Sequence, residues 1–145
     1  MKIERVNEEN FSQAAEIYTA SWRESHREVC SPEFLKLRDC TGYLWKKIDR
    51  LYVISDPEPV GVFCLHEGMF SDLYIHPGKM RKGYGTACLK YAIAQCGQMR
   101  LTVLSSNQSA IALYQKLGFH FTGNDFQRKE NLWEREMRYT ENENG

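Results

Sequence analysis

The hydrophobic period changes twice between residues 69 and 104, and this constrains the fold more than any other feature of the chain. Residues 69–76 read as a strand closed by Pro77-Gly78. Residues 84–96 place Cys88, Leu89, Ala92, Ile93 and Cys96 on one helical stripe, and residues 99–104 read as a strand again. Strand, helix and strand in that order form a crossover unit, so the two strands are expected to lie in one sheet and run parallel.

The residues before this unit have a different logic. Residues 51–54 read as a strand ended by Ser55-Asp56-Pro57-Glu58-Pro59, and residues 60–66 return from that turn. Glu67-Gly68 then leads into the strand at 69–76. Three strands with short connections make an antiparallel meander. Upstream, residues 2–6 read as a short strand, and Asn7 or Asn10 is placed to cap a helix over residues 10–25, where Phe11, Ala14, Ala15, Tyr18 and Trp22 recur at helical spacing. Ser31-Pro32 opens a second helical stretch, expected to break at Thr41-Gly42 and resume to residue 50. Downstream, a helix over 107–117, strands at 120–126 and 133–139 and a frayed tail at 141–145 complete the reading. Residues 1–145 are thus expected to form a single α/β (α+β) domain. Its core is a mixed, mostly antiparallel sheet of about seven strands flanked by helices.

Charge and cysteine content narrow the function classes. Nineteen basic and nineteen acidic residues cancel, which leaves no global positive field for nucleic acid. No apolar leader and no stretch of about 18 apolar residues is found, so a cytoplasmic protein without membrane attachment is expected. Cysteines 30, 40, 64, 88 and 96 match neither a zinc-site spacing nor a redox pair, and read as reduced thiols used mostly in packing.

Met80-Arg81-Lys82-Gly83-Tyr84-Gly85-Thr86 joins a strand to a helix, where unpaired N–H groups and the positive helix end attract an anion. Gly83 and Gly85 let the backbone approach phosphate oxygens, and Arg81 and Lys82 add charge suited to a pyrophosphate or a ribose phosphate. Taken alone, the loop fits a tight turn with solvated basic residues equally well. A Rossmann fingerprint is a poorer reading, since its third small residue falls on Cys88 and three antiparallel strands come first. A P-loop is excluded because no GKS or GKT follows.

A second segment spans residues 105–119. Ala110, Leu113, Tyr114 and Leu117 lie at i, i+3, i+4 and i+7, and Gly118 stops the helix. Asn107 stands two turns before Tyr114 on the same face. The residues alone allow Asn107 to be an N-cap and Tyr114 a core aromatic.

Taken in order, strand, R-K-G-Y-G-T, helix, strand and S-x-N-x-x-A-x-x-L-Y-x-K-L-G-F, the chain resembles the GNAT superfamily of acyl-CoA-dependent N-acyltransferases. The likeness is sharp over residues 70–121 and rests on element order elsewhere. It implies a sheet splayed between the 69–76 and 99–104 strands, where acyl-CoA enters. It also implies that main-chain amides of Arg81, Lys82, Gly83, Tyr84, Gly85 and Thr86 hold the coenzyme's pyrophosphate. Leu73, Tyr74 and Ile75 would pair with the pantetheine arm, Asn107 would contact the cofactor, and Tyr114 would stand near the thioester sulfur as general acid. One position departs from the family pattern: Met80 replaces the usual Gln or Arg, with Arg81 next to it, which implies an affinity tuned rather than abolished.

The chemistry agrees with these roles. Attack of an amine on a thioester needs a neutral amine and a leaving thiolate that gains from a proton, which a tyrosine hydroxyl can supply. The acyl group arrives activated, so neither a covalent nucleophile nor a metal is required, and Cys64, Cys88 and Cys96 read as structural. His66, Glu67, Asp72 and His76 flank the expected acceptor cleft, with Glu67 or Asp72 the candidates for general base. The segment from Ser21 to His26, followed by Pro32 and Leu35, resembles the end of the first helix in a GNAT subgroup, which implies that Trp22 and His26 border the acceptor. Read from the residues alone, Trp22 fits plain core better. The expected reaction is acetyl transfer from acetyl-CoA to a primary amine of a small molecule by direct attack in a ternary complex, by a monomer or homodimer. The alternatives are acetylation of a protein N-terminus or lysine, and a non-catalytic CoA-binding or interaction module.

Overall fold

A computed structural model describes residues 1–28 and 30–140, with all their side chains but that of Lys129. The expected tail at 141–145 lies outside the described residues. Twelve elements follow one another: β1 (Lys2–Arg5), α1 (Phe11–Ser25), α2 (Pro32–Leu37), α3 (Thr41–Trp45), β2 (Leu51–Ser55), β3 (Pro59–His66), β4 (Met69–Ile75), α4 (Tyr84–Cys96), β5 (Gln98–Leu104), α5 (Gln108–Lys116), β6 (His120–Lys129) and β7 (Leu132–Thr140). The seven strands form one sheet in the order β1-β2-β3-β4-β5-β7-β6. Only β4 and β5 are parallel neighbours, as the crossover pattern requires.

That parallel pair is also where the sheet opens. β4 and β5 are in register at Met69 and Arg100, and Arg100 N–H donates to Gly68 O over 2.8 Å. No further β4–β5 pair follows. The outer partners continue: β3 tracks β4 as far as Gly61 opposite Ile75, and β7 tracks β5 from Gln98 to Leu104. The sheet is therefore split between β4 and β5 toward their C-terminal ends.

Alternation along the strands separates two cores. Val53 and Val62 pack with Phe11, Ala14, Ala15, Tyr18 and Leu44 under α1 and α3, whereas Ile54 and Phe63 pack with Cys88, Leu89, Ala92, Ile111 and Phe119 under α4 and α5. Successive residues of a strand point to opposite faces, so α1 and α3 cover one face of the sheet, and α4 and α5 the other. Burial of each valine, isoleucine, leucine and phenylalanine among them contributes on the order of 2 kcal/mol.

The segment before β2 departs from expectation. Ser31 Oγ accepts from Phe34 N–H over 3.2 Å with Pro32 at the first helical position, as the sequence implies. The break, however, falls at residues 38–40, and Thr41 and Gly42 lie inside α3. Arg38 is extended, Cys40 is buried with its N–H on Thr19 Oγ1, and the Asp39 carboxylate accepts from both Thr41 N–H and Thr41 Oγ1. Asp39 therefore starts a new helix where glycine at 42 had suggested an interruption. At the head of α1, Asn10 occupies the capping position without a side-chain cap bond. Asn7 and Asn10 instead satisfy each other's N–H groups in the turn before it.

Candidate active site

The loop after β4 is shaped by two left-handed residues, Arg81 at φ 63° and Gly83 at φ 84°. Only glycine adopts the latter without cost, and a Cβ there would meet nothing within 4 Å, so the requirement is conformational rather than spatial. The first bond of α4 runs from Ala87 N–H to Gly83 O at 3.0 Å. The N–H groups of Tyr84, Gly85 and Thr86 precede it and have no intrahelical partner. Three donors and the positive end of a 13-residue helix thus gather at one point, with Arg81 and Lys82 exposed beside them. Met80, 57% exposed, adds no polar group to this cradle.

Gly85 brings this helix end against the opened strand. A Cβ at Gly85 would lie 3.6 Å from Leu73 Cδ2, an ordinary contact. Beyond Met69 no strand pairs with the β5-facing edge of β4, which includes Leu73, Tyr74 and Ile75. The anion cradle therefore adjoins a strand edge that no other strand covers, with Ile75 O accepting from Ser21 Oγ over 2.8 Å at its far end, an arrangement suited to an extended amide-bearing chain ending in phosphates.

Tyr114 is half-buried within the α4–α5 core, packed edge to face on Phe119 at 5.9 Å. Burial pushes its pKa above the ordinary tyrosine value, so it remains a proton carrier. Asn107 caps α5: its Oδ1 accepts from Ala110 N–H at 3.2 Å, leaving the amide nitrogen free to donate elsewhere. The cap reading of Asn107 is therefore correct, and it is compatible with a cofactor contact.

The two carboxylates expected as bases are placed very differently. Glu67 forms the β3–β4 turn with Gly68, both at positive φ, and is 84% exposed with its carboxylate 3.8 Å from His66 Nε2. It stands at the closed end of the split, opposite the loop. Asp72 sits on a bulge, where Phe63 of β3 faces both Asp72 and Leu73 and where Asp72 takes φ 54°. The bulge reverses the alternation, so that Phe70 faces α4 while Asp72 and Tyr74 face α1.

There Asp72 meets residues the sequence reading did not single out. Tyr18 Oη donates to Oδ1 over 2.8 Å, Lys47 Nζ lies 3.1 Å from Oδ2, and Tyr43 Oη lies 3.3 Å from Oδ2. Burial, reinforced by the Asp72 charge and hydrogen bond, raises the Tyr18 pKa. Burial works against the Lys47 charge, but the Tyr43 hydroxyl and Asp72 outweigh it and hold the ammonium above the usual lysine value.

Trp22 and His26 stack on each other at 3.9 Å, with the Arg38 guanidinium 5.1 Å from the Trp22 ring and Phe34 of α2 at 6.3 Å. His26 Nδ1 lies 2.8 Å from Trp22 O. The pair thus shares a helix face, and that face is engaged with α2. Cys64 and Cys88 are buried, and burial pushes the Cys88 thiol up to about 12 and raises Cys64 as well, so both are held neutral.

Comparisons with known proteins agree with this geometry. The chain is 28% identical over 85 residues to the peptidyl-lysine N-acetyltransferase YiaC of Escherichia coli (strain K12), a match spanning 58% of this chain and about half (53%) of that relative. Among solved structures it resembles the PaiA N-acetyltransferase of Thermoplasma acidophilum in complex with coenzyme A, with a TM-score of 0.72 at 18% identity, covering 96% of this chain and 98% of the other. It also resembles the ribosomal-protein-S18-alanine N-acetyltransferase of Escherichia coli, with a TM-score of 0.69 at 15% identity over 95% and 92% of the two chains. The profile of the Acetyltransferase (GNAT) family matches residues 11–119, more than half of the sequence, and the chain belongs to that family.

Proposed function

We propose that the protein transfers the acetyl group of acetyl-CoA to a primary amine of a small molecule, by direct attack in a ternary complex. The observation that carries this reading is the junction of the free α4 N-terminus with the unpaired edge of β4. Main-chain N–H groups from Arg81 to Thr86 bind the pyrophosphate, and Arg81 and Lys82 supply countercharge. The edge from Leu73 to Ile75 orients the pantetheine amides, and the Asn107 amide nitrogen donates to the coenzyme. Tyr114 holds a proton on its hydroxyl and delivers it to the departing sulfur.

The acceptor arrives from the opposite face. The loop, α4 and Tyr114 occupy one side of the sheet, so the split leaves the α1 and α3 side for the amine. Of the two candidate carboxylates, Asp72 faces that side, so any carboxylate contact with the acceptor comes from Asp72. Calorimetric titration with acetyl-CoA and CoA tests the first half of the reading, and acetyl-CoA consumption over a panel of amines tests the second. Absence of CoA binding would remove its basis.

A protein acceptor is the second reading, favoured by the names of two relatives, which act on peptidyl lysine and on an alanine of ribosomal protein S18. Lysine peptides and free N-terminal peptides in the same panel separate the two.

A further inference from the structure

The α1–α3 face holds an ammonium of the protein's own. Lys47 Nζ lies 3.1 Å from Asp72 Oδ2, 2.8 Å from Tyr43 Oη and 4.4 Å from the centroid of the Tyr43 ring. Tyr18 Oη donates to the other carboxylate oxygen, and Tyr74 packs on Tyr18 at 4.6 Å. A carboxylate, a hydroxyl and an aromatic face are the three partners that recognise an alkylammonium. The position is equally informative, since Asp72 immediately precedes Leu73 at the start of the unpaired β4 edge.

We infer that this box binds a second, non-reacting ammonium of the acceptor, that Lys47 is its displaceable resident, and that the acceptors are small diamines. The inference rests on the acetyl-transfer reading and adds the substrate class. Exchange of one ammonium for another keeps Asp72 paired throughout, so the substrate never has to leave a part-buried carboxylate alone. The Lys47 side chain is 22% exposed, with a flexible stem next to exposed Tyr43, so rotation of the stem carries its head into solvent.

The same contacts explain why the bound nitrogen is not the nucleophile. They hold Lys47 protonated above its ordinary range, against the effect of burial. An amine seated there keeps its proton, whereas attack on a thioester needs a neutral nitrogen. The reacting amine must then be the other end of the same molecule. Displacing a tethered occupant also has a cost, because Lys47 competes at an effective concentration of about a millimolar or more.

The test compares 1,4-diaminobutane with butylamine, by calorimetric titration into the protein and by acetyl-CoA consumption. In Lys47→Met, where the box has no resident ammonium, one charge-assisted contact predicts that the diamine binds about tenfold more tightly than butylamine, with a correspondingly lower KM. In wild type, where Lys47 must first be displaced, the preference should be smaller. Lys47→Met should lower the diamine Kd and KM several-fold, and Asp72→Asn should bring the diamine to the level of butylamine. Tyr43→Phe removes one hydroxyl from the box without touching the carboxylate, and should reduce the diamine preference even where Asp72→Asn fails to fold. Equal affinity of Lys47→Met for the two amines overturns the inference, as does a Lys47→Met protein that binds the diamine no better than wild type does. Tighter binding of a lysine peptide than of the diamine overturns the small-diamine assignment. Turnover by Lys47→Met without diamine preference overturns this inference and leaves acetyl transfer standing. Absence of CoA binding removes acetyl transfer, and the diamine titration still decides the box.

Discussion

Tyr84 Oη donates to Asp56 Oδ2 over 2.9 Å, so the first residue of α4 is tied to the turn between β2 and β3. This bond fixes the direction in which the helix end presents its free N–H groups. Tyr84→Phe and Asp56→Ala should each weaken CoA binding several-fold by calorimetry, whereas Asp56→Asn, which keeps an acceptor oxygen, should stay near wild type. The double variant Tyr84→Phe with Asp56→Ala should be no worse than either single one, because both remove the same bond. Additive losses would mean that the two side chains act separately.

Tyr114→Phe should reduce kcat by about a hundredfold or more, the usual scale for loss of a general acid, without changing the affinity for CoA. The phenyl ring retains the edge-to-face packing on Phe119. Single-turnover kinetics together with a CoA titration separates the two quantities. Equal kcat in the variant would show that the sulfur leaves unaided.

The direction of the Tyr114 shift sets the pH dependence. As the proposed general acid, Tyr114 works in its protonated form, and burial raises its pKa, so the protonated hydroxyl persists to higher pH than in a free tyrosine. The ascending limb of kcat/KM should follow deprotonation of the acceptor amine, and no descending limb due to Tyr114 should appear below about pH 10, the unperturbed tyrosine value. A profile measured with two amines of different basicity checks this, because only the ascending limb should move.

Most of the scaffold was legible because it rests on local signals. The stripe of Cys88, Leu89 and Ala92, the Gly118 stop and the Ser31-Pro32 start are each written in neighbouring residues, and each appears as expected. The surroundings of Asp72 were not legible, for two physical reasons. Its partners Tyr18, Tyr43 and Lys47 lie 54, 29 and 25 residues away, beyond any periodicity. Strict alternation would also have put Asp72 on the face of Phe70, and the bulge that turns it over carries no glycine to announce it. The position of Glu67 was hidden for a similar reason. Strand order shows that it flanks β4, but only the register of β4 with β5 shows that it sits at the closed end.

Gly83 and Gly85 should respond differently to alanine. At Gly83 the left-handed backbone makes any Cβ costly by about 1 kcal/mol, so Gly83→Ala should lower the melting temperature and weaken CoA binding together. At Gly85 the backbone is helical and the new methyl makes only an ordinary contact with Leu73. Alanine there should raise stability by about 0.5 kcal/mol through helix propensity, yet weaken CoA binding by covering the helix end. Thermal melts paired with CoA titrations give the comparison, and a Gly85→Ala protein that binds CoA as wild type would place the phosphates elsewhere.

Asn107 has two atoms with separable roles. Its Oδ1 caps α5 through Ala110 N–H, and its amide nitrogen is the atom assigned to the coenzyme in the proposed function. Asn107→Ala removes both, and should cost about 1 kcal/mol of stability as well as CoA affinity. Asn107→Asp keeps a capping oxygen and adds a favourable charge at the helix N-terminus, so its stability should match or exceed wild type. It has no amide donor, so its CoA affinity should fall as far as that of the alanine variant. Equal CoA affinity in Asn107→Asp and wild type would confine Asn107 to its role as a cap.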